Sequence, residues 1–154
     1  MKYIFLSAII SVFVLSSSCK KSKTETGSCS EPQLDCSTIL CIAHWNNFDF
    51  KLSDKASGTD LVFGSNPRYT TSEVKLFANA ARTIEIGITA DMANKKFQCM
   101  TAINEMYLEV KGTVYNLTAT FRKIDCCVSR VKSISIKGTL ICDCCPNIVN
   151  VPVD

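Results

Sequence analysis

The chain reads as an all-β protein, a single antiparallel β-sandwich of about eight short strands, and three observations predict it. Apolar and polar residues alternate with a period of two over most of the chain after residue 45. Glycine, proline and asparagine sit between the alternating runs, where hairpins and strand ends need them. One stretch, Asp91 to Asn104, departs from the alternation. After the N-terminal segments are set aside, about 120 residues remain, enough for one domain with one shared core.

The strands follow in order. Phe48, Phe50 and Leu52 alternate with Asp49, Lys51 and Ser53, so one face is apolar and the other wet. Lys55-Ala56-Ser57-Gly58 turns the chain toward a short strand at Leu61 to Phe63. Asn66-Pro67 marks a further turn or an edge, because proline cannot donate to a ladder. Val74 to Phe77 and the run Ile84, Ile86, Ile88 supply the next two strands. Asp91 to Asn104 is expected to hold a short helix capped by Asp91, or a loop. Leu108 and Val110, then Tyr115, Leu117, Ala119 and Phe121, form a hairpin around Gly112-Thr113. Ile134 and Ile136 precede a second such turn at Gly138-Thr139, and Val151 and Val153 close the set. Glycine first in a two-residue turn is the chemistry of a type II′ hairpin.

The N-terminus is of a different kind. Met1-Lys2-Tyr3 is a short basic start, Ile4 to Leu15 is a mainly apolar run, and Ser16-Ser17-Ser18-Cys19 ends it with small residues and a thiol. Charge, apolar run and small residues in that order make a secretory signal. Twelve residues are too few for a transmembrane helix, which needs about 20. The segment Ser16-Ser17-Ser18-Cys19 resembles the lipobox of bacterial lipoproteins, in the serine-rich form of the Bacteroidota. That resemblance implies cleavage before Cys19, a diacylglycerol thioether on its sulfur and acylation of the new amine. The expected organisation is a signal peptide over 1–18, a lipidated cysteine and tether over 19–33, and the β-sandwich over 34–154.

Residues 20 to 33 are polar and rich in breakers, as a tether should be. The formal charge of +3 is misleading, since Lys2 belongs to the signal and Lys20, Lys21 and Lys23 to the tether. From Thr24 onward 13 basic residues face 14 acidic ones, a net charge of −1. The basic excess would therefore lie beside the acyl chains, either facing lipid head groups or solvated as part of the linker. Nucleic-acid binding, which needs a basic face on the domain itself, is not expected. Lys20, rather than Asp, directly after the cysteine permits export to the outer membrane by analogy with lipoprotein sorting, and with no acidic cluster resembling a surface-export signal behind it a periplasm-facing position is expected. The stretch Phe48 to Leu76 also resembles small Bacteroidota lipoproteins of unassigned function. An immunoglobulin-like or related Greek-key topology is plausible as architecture only, because Trp45 follows Cys41 by just four residues instead of lying between two distant cysteines.

Ten cysteines are present, and with Cys19 lipidated nine remain. At most four disulfides can then form, with one thiol left over, as suits an exported protein. Bridges from Cys29, Cys36 or Cys41 to the sheet would pin the tether to the domain. The dense group Cys126-Cys127 with Cys142-Asp143-Cys144-Cys145 offers an alternative, a thiolate centre for Zn(II) or Cu(I). Two considerations weigh against it. Adjacent residues on a strand point to opposite faces, so Cys126 and Cys127 should serve different partners. With Gly138-Thr139 as the turn, Cys142 would face Ser135, Cys144 would face Ser133 and Cys127 would face Asn150. On that register the two cysteine groups are about 16 Å or more apart along a straight ladder.

Catalysis has little support. His44 is the only histidine, set in an apolar stretch. No Gly-x-Ser-x-Gly elbow, phosphate-binding glycine loop or His-Glu-x-x-His helix occurs. Asp125 and Asp143 flank the cysteine groups but read as solvated charges, and Asn116-Leu117-Thr118 is a sequon placed within a strand. The expectation is thus a non-catalytic, lipid-anchored envelope module without a cofactor, whose partner is an unidentified envelope protein or glycan.

Overall fold

The computed structural model describes residues 29, 31–100 and 102–154. Cys19, its lipobox and the signal segment lie outside the described residues. The strands are β1 (Trp45–Asp54), β2 (Val74–Phe77), β3 (Glu85–Ile86), β4 (Thr89–Asp91) and β5 (Lys96–Cys99). β6 (Glu105–Val110), β7 (Thr113–Lys123), β8 (Val128–Ile136), β9 (Thr139–Asp143) and β10 (Val149–Val153) complete the set. Among the described residues the only helical element is a single 3-10 turn, Thr71–Glu73, so the protein is all-β.

The ten strands form one mixed sheet curled into a half-barrel, eight of them in the order β3-β2-β6-β7-β8-β1-β5-β4, with β9 beside β8 and β10 beside β1. The two strands at the ends of this path, β3 and β4, are consecutive in sequence and are separated only by Gly87 and Ile88. Curling is thereby enforced, because a two-residue link cannot reach across a flat sheet of eight strands spaced about 4.8 Å apart.

The centre of the sheet is a fork. β1 and β8 run parallel and pair only where Trp45, Asn46 and Asn47 face Val128, Ser129 and Arg130. Beyond that point they part. β8 takes β9 as its neighbour along Ser133 to Ile136, and β1 takes β10, again in parallel, along Phe50 to Asp54. β9 runs back toward the fork, the chain turns through residues 144–148, and β10 runs out again. These two parallel pairings correct the expectation of a purely antiparallel sheet. Alternation records which face of a strand is buried, not the direction of its neighbour.

One core lies under the whole sheet. Phe48, Phe50 and Leu52 are fully buried, as are Leu76, Met106, Leu108 and Leu117. Phe48 stacks on Phe50 at 4.7 Å between ring centroids, Phe50 on Phe97 at 5.2 Å, and Phe63 tilts against Phe97 at 5.1 Å. Each such ring withdrawn from water stabilises the fold by roughly 1.5–3 kcal/mol. Phe97 comes from β5, inside the stretch without alternation, where the structure has β4, a turn and β5 in place of a helix. Asp91 does cap that turn, its Oδ1 accepting from the Asn94 N–H at 2.9 Å.

Leu61 to Phe63 also differs from expectation, being a buried loop and not a strand. Asp60 organises it. Its Oδ1 accepts from the N–H groups of Val62 (3.0 Å) and Phe63 (2.8 Å), satisfying backbone donors that a strand neighbour would otherwise take.

Both tight hairpins turn one residue earlier than the sequence suggests. Val110 pairs with Thr113 and Ile136 with Thr139, so the turn residues are Lys111-Gly112 and Lys137-Gly138. All four have positive φ (48° and 83°, 49° and 79°), which is the type I′ geometry that matches strand twist. With a register shift between Ile134 and Ser135, Cys142 then faces Ile134 and Asp143 faces Ser133. The expected pairings of Cys142 with Ser135 and Cys144 with Ser133 are corrected accordingly. Asn150 pairs with Lys51, not with Cys127.

Candidate functional site: the stapled end of the sheet

Residues 31–44 form no strand. They lie as an arm across the closed end of the fork, and cysteines hold them there. Cys36 is bonded to Cys126 (Cα–Cα 5.6 Å) and Cys41 to Cys127 (5.4 Å), each bond spanning most of the domain in sequence. Cys29 is bonded to Cys144 (5.2 Å), and Cys142 to Cys145 (5.3 Å) within the β9–β10 connection. The adjacent residues Cys126 and Cys127 thus serve two different partners, as alternating side-chain directions require. Cys99, the remaining cysteine of the described residues, stays outside these four pairs and is buried in the core.

Local hydrogen bonds shape both sides of this junction. In the arm, Asp35 Oδ1 accepts from the Ser37 hydroxyl at 2.7 Å and from the Ser37 N–H at 3.1 Å, forming a turn. Those bonds, the hydroxyl's first, hold the Asp35 carboxyl below its usual range. In the β7–β8 turn the N–H groups of Ile124 and Asp125 both donate to the Val128 carbonyl. The Trp45 N–H donates to the Cys127 carbonyl at 2.9 Å, which carries the arm into β1. On the other side of the fork, the Cys145 N–H donates to the Lys132 carbonyl at 2.8 Å, and Arg130 donates to the Asn147 side chain. Cys144 adopts a positive φ of 55°, and its N–H donates to Asp143 Oδ1 at 3.0 Å.

The five cysteines of the alternative metal centre are therefore divided among four bridges. One set with ligand-like spacing does exist among the described residues. Cys29 Sγ, Cys144 Sγ and an Asp143 oxygen lie within 4.8 Å of one another. Its two sulfurs are bonded to each other, so neither is a thiolate able to bind an ion.

The arm has a second property. Leu40 is 92% exposed, Ile42 wholly so, Ile39 51% and Trp45 39%. None of them joins the core cluster. His44, set in this stretch, is itself exposed. The signal that was there to be read is an apolar run without period-two alternation, interrupted by a cysteine.

The described residues also line concavities on the surface. One of about 180 Å³ lies at the open mouth of the fork, where Lys55, Lys137, Thr139 and Asp154 surround Tyr115. It is smaller than the roughly 300 Å³ at which ligand pockets begin. Its wall is self-satisfied: the Asp154 N–H donates to the Tyr115 hydroxyl at 3.2 Å, and Lys55 pairs with the Asp154 carboxylate at 3.6 Å. Another, about 360 Å³ and more open, runs along the seam where the sheet does not close, between Lys75, Glu85, Ile88 and Phe97. Neither is lined by a histidine or a cysteine, so neither brings a nucleophile to a histidine base.

On the outer face, Glu105 accepts from the Tyr107 hydroxyl at 2.6 Å and from the Asn116 amide at 3.0 Å. These bonds lower the Glu105 pKa, and the bond to Glu105 raises that of Tyr107. The sequon asparagine is thus engaged within the sheet. Among the described residues no helix is long and apolar enough to cross a membrane. No family model, no curated protein and no solved structure matches this chain.

Proposed function

We propose that this chain is a lipid-anchored lipoprotein of the cell envelope whose domain is a non-catalytic binding or structural module. Cys19 would carry the lipid in the Bacteroidota manner, and residues 20–33 would tether the domain to an outer membrane, facing the periplasm. The observation that carries the reading is the fate of Cys29, Cys36 and Cys41. Cys29 within the tether and Cys36 and Cys41 just after it are all bonded to one end of the sheet. Such a framework belongs to an oxidising compartment outside the cytoplasm. The partner would be an envelope protein or glycan, met through loops or a sheet edge. Within this reading the curled sheet acts as the two facing layers of a sandwich, immunoglobulin-like or a related Greek key. The aromatic stack of Phe48, Phe50, Phe97 and Phe63 supports one shared core.

A thiol-based Zn or Cu protein is the alternative, and the Cys29, Cys144 and Asp143 cluster is what favours it. It requires the Cys29–Cys144 bond to open. Both readings meet in one measurement: the intact mass of protein purified from its own envelope, native and after denaturing alkylation without reductant. An acyl mass on Cys19 with at most one alkylated thiol is expected. Several alkylated thiols together with a stoichiometric ion would put the metal at the centre instead.

A further inference from the structure

We propose that the segment Ile39 to Trp45 is a bilayer contact, an apolar loop that sits in the membrane interface beside the lipid anchor. The inference rests on the reading of Cys19 as that anchor and adds a second, protein-borne attachment to it.

The loop is built to hold greasy side chains in water. Leu40 and Ile42 are almost wholly exposed, and Ile39 and Trp45 substantially so. Two disulfides and the Trp45 to Cys127 hydrogen bond fix the backbone around them, so these residues cannot fold inward to join the core. Exposed apolar residues gathered in one place mark an interaction surface.

Three features select a bilayer as the occupant. First, Thr38 to Trp45 contains no Asp, Glu, Lys or Arg, so insertion desolvates no fixed charge. Second, the loop joins aliphatic side chains to a half-exposed tryptophan, the residue type that gathers where acyl chains meet head groups. Third, the chain is short. Cys29 is ten steps along the chain from Cys19, at most about 36 Å when fully extended. Cys29 is itself pinned to Cys144 at the same end of the sheet as Cys126 and Cys127. A lipid on Cys19 therefore presents the loop to the membrane at an effective concentration in the millimolar range, where even weak insertion is populated. Lys20, Lys21 and Lys23 lie between the two attachments and complement anionic head groups.

Trp45 is the only tryptophan, so its fluorescence reports this loop alone. The full chain from its own envelope is reconstituted into phosphatidylcholine–phosphatidylglycerol vesicles, with and without lipids brominated near the head-group end of the acyl chains. The same preparation is weighed intact. The expected result is a blue-shifted Trp45 emission, strongly quenched by the brominated lipid. The variant L40D/I42D should lose most of that shift and quenching while keeping its acyl mass and floating with the vesicles. Both side chains are exposed, so the variant tests contact without disturbing the core. An acylated chain whose Trp45 is neither shifted nor quenched overturns the inference and leaves the anchor standing. Quenching in a chain without acyl mass overturns the anchor and keeps the membrane loop. A chain with neither acyl mass nor quenching overturns both. A co-purifying protein that shields Trp45 and is lost in L40D/I42D would replace the bilayer with a protein partner.

Discussion

Cys41 and Cys127 are joined by a disulfide, and four residues later the Trp45 N–H returns to the carbonyl of that same Cys127 at 2.9 Å. Covalent bond and hydrogen bond close a small ring between the arm and the start of β8, and β1 begins inside it. The first strand of the sheet is thus aligned with β8 at Trp45, ahead in the chain of its first core residue, Phe48.

Opening this ring should weaken the whole domain. The Cys41–Cys127 bond spans 86 residues, and the chain-entropy effect of closing so long a loop is about 4–5 kcal/mol. The other long bridges overlap it, so the double variant C41S/C127S is expected to lose about 2–4 kcal/mol. C142S/C145S, which opens a bridge between residues three apart, should lose about 2 kcal/mol or less. Urea unfolding of the oxidised proteins ranks the two. Equal losses would show that constraint of the unfolded chain is not the main effect.

The aromatic stack predicts a larger local effect. Phe50 is fully buried and stacks on both Phe48 and Phe97. Phe50→Ala removes the middle ring, and a loss of about 3–5 kcal/mol is expected. Phe50→Leu, which keeps much of the volume, should lose markedly less. Denaturation midpoints at unchanged slope are the check.

At the hairpins the expected change is smaller and depends on sign. Lys111 and Lys137 occupy the left-handed region, where asparagine is more at ease. Lys111→Asn and Lys137→Asn should each stabilise by a few tenths of a kcal/mol up to about 1. Gly112→Ala should destabilise by about 1 kcal/mol through backbone conformation alone, because a Cβ there meets nothing within 4 Å. Thermal melts of the three variants test the pattern, and a destabilising Lys111→Asn would contradict the type I′ assignment.

The acid limb of stability has named sources. Asp54, held by the Ser57 N–H and hydroxyl, lies below its ordinary 3.8, and so does Asp91, held by the Asn94 side chain and N–H. Glu73, held by the Thr70 N–H and hydroxyl, lies below its ordinary 4.5, and so does Glu105. A carboxyl lowered in the folded state stabilises fully above its unfolded value and loses that contribution as pH falls through the folded one. Stability is therefore expected to be level from neutral pH down to about 5 and to fall below about 4. Tyr107, raised above 10.0 by its bond to Glu105, acts at the other end and loses its contribution as pH rises beyond that value. Urea unfolding across pH, with Asp54→Asn flattening the acid limb, checks the assignment.

What the sequence disclosed follows from what alternation can record. β1, β6 and β7 bury every second residue over much of their length, β8 does so at Ile134 and Ile136, and these strands were legible for that reason. β9 was marked only by the turn before it, because Thr139 to Asp143 buries neither face fully and carries no apolar stripe. β5 alternates over just four residues, Phe97 and Cys99 inward, too few to stand out beside the Asn94-Lys95 turn. Strand direction leaves no mark in the pattern, so the parallel pairs of β1 were hidden. The turn register slipped by one because lysine is an uncommon occupant of a left-handed position. For the staples, the count of cysteines and the divergence of Cys126 from Cys127 were legible, but not the connectivity. Which distant cysteine meets which depends on the fork between β1 and β8, a tertiary feature.

The Cys29–Cys144 bond has a mechanical consequence. A pull arriving along the N-terminal chain meets that covalent link first and passes into the β9–β10 connection. Tension then divides between β9 and β10, the two strands that this connection joins. β1 sits behind the Cys36 and Cys41 links and is spared peeling from its end. A pull along the N-terminal chain therefore reaches the sheet through its C-terminal strands before it reaches β1.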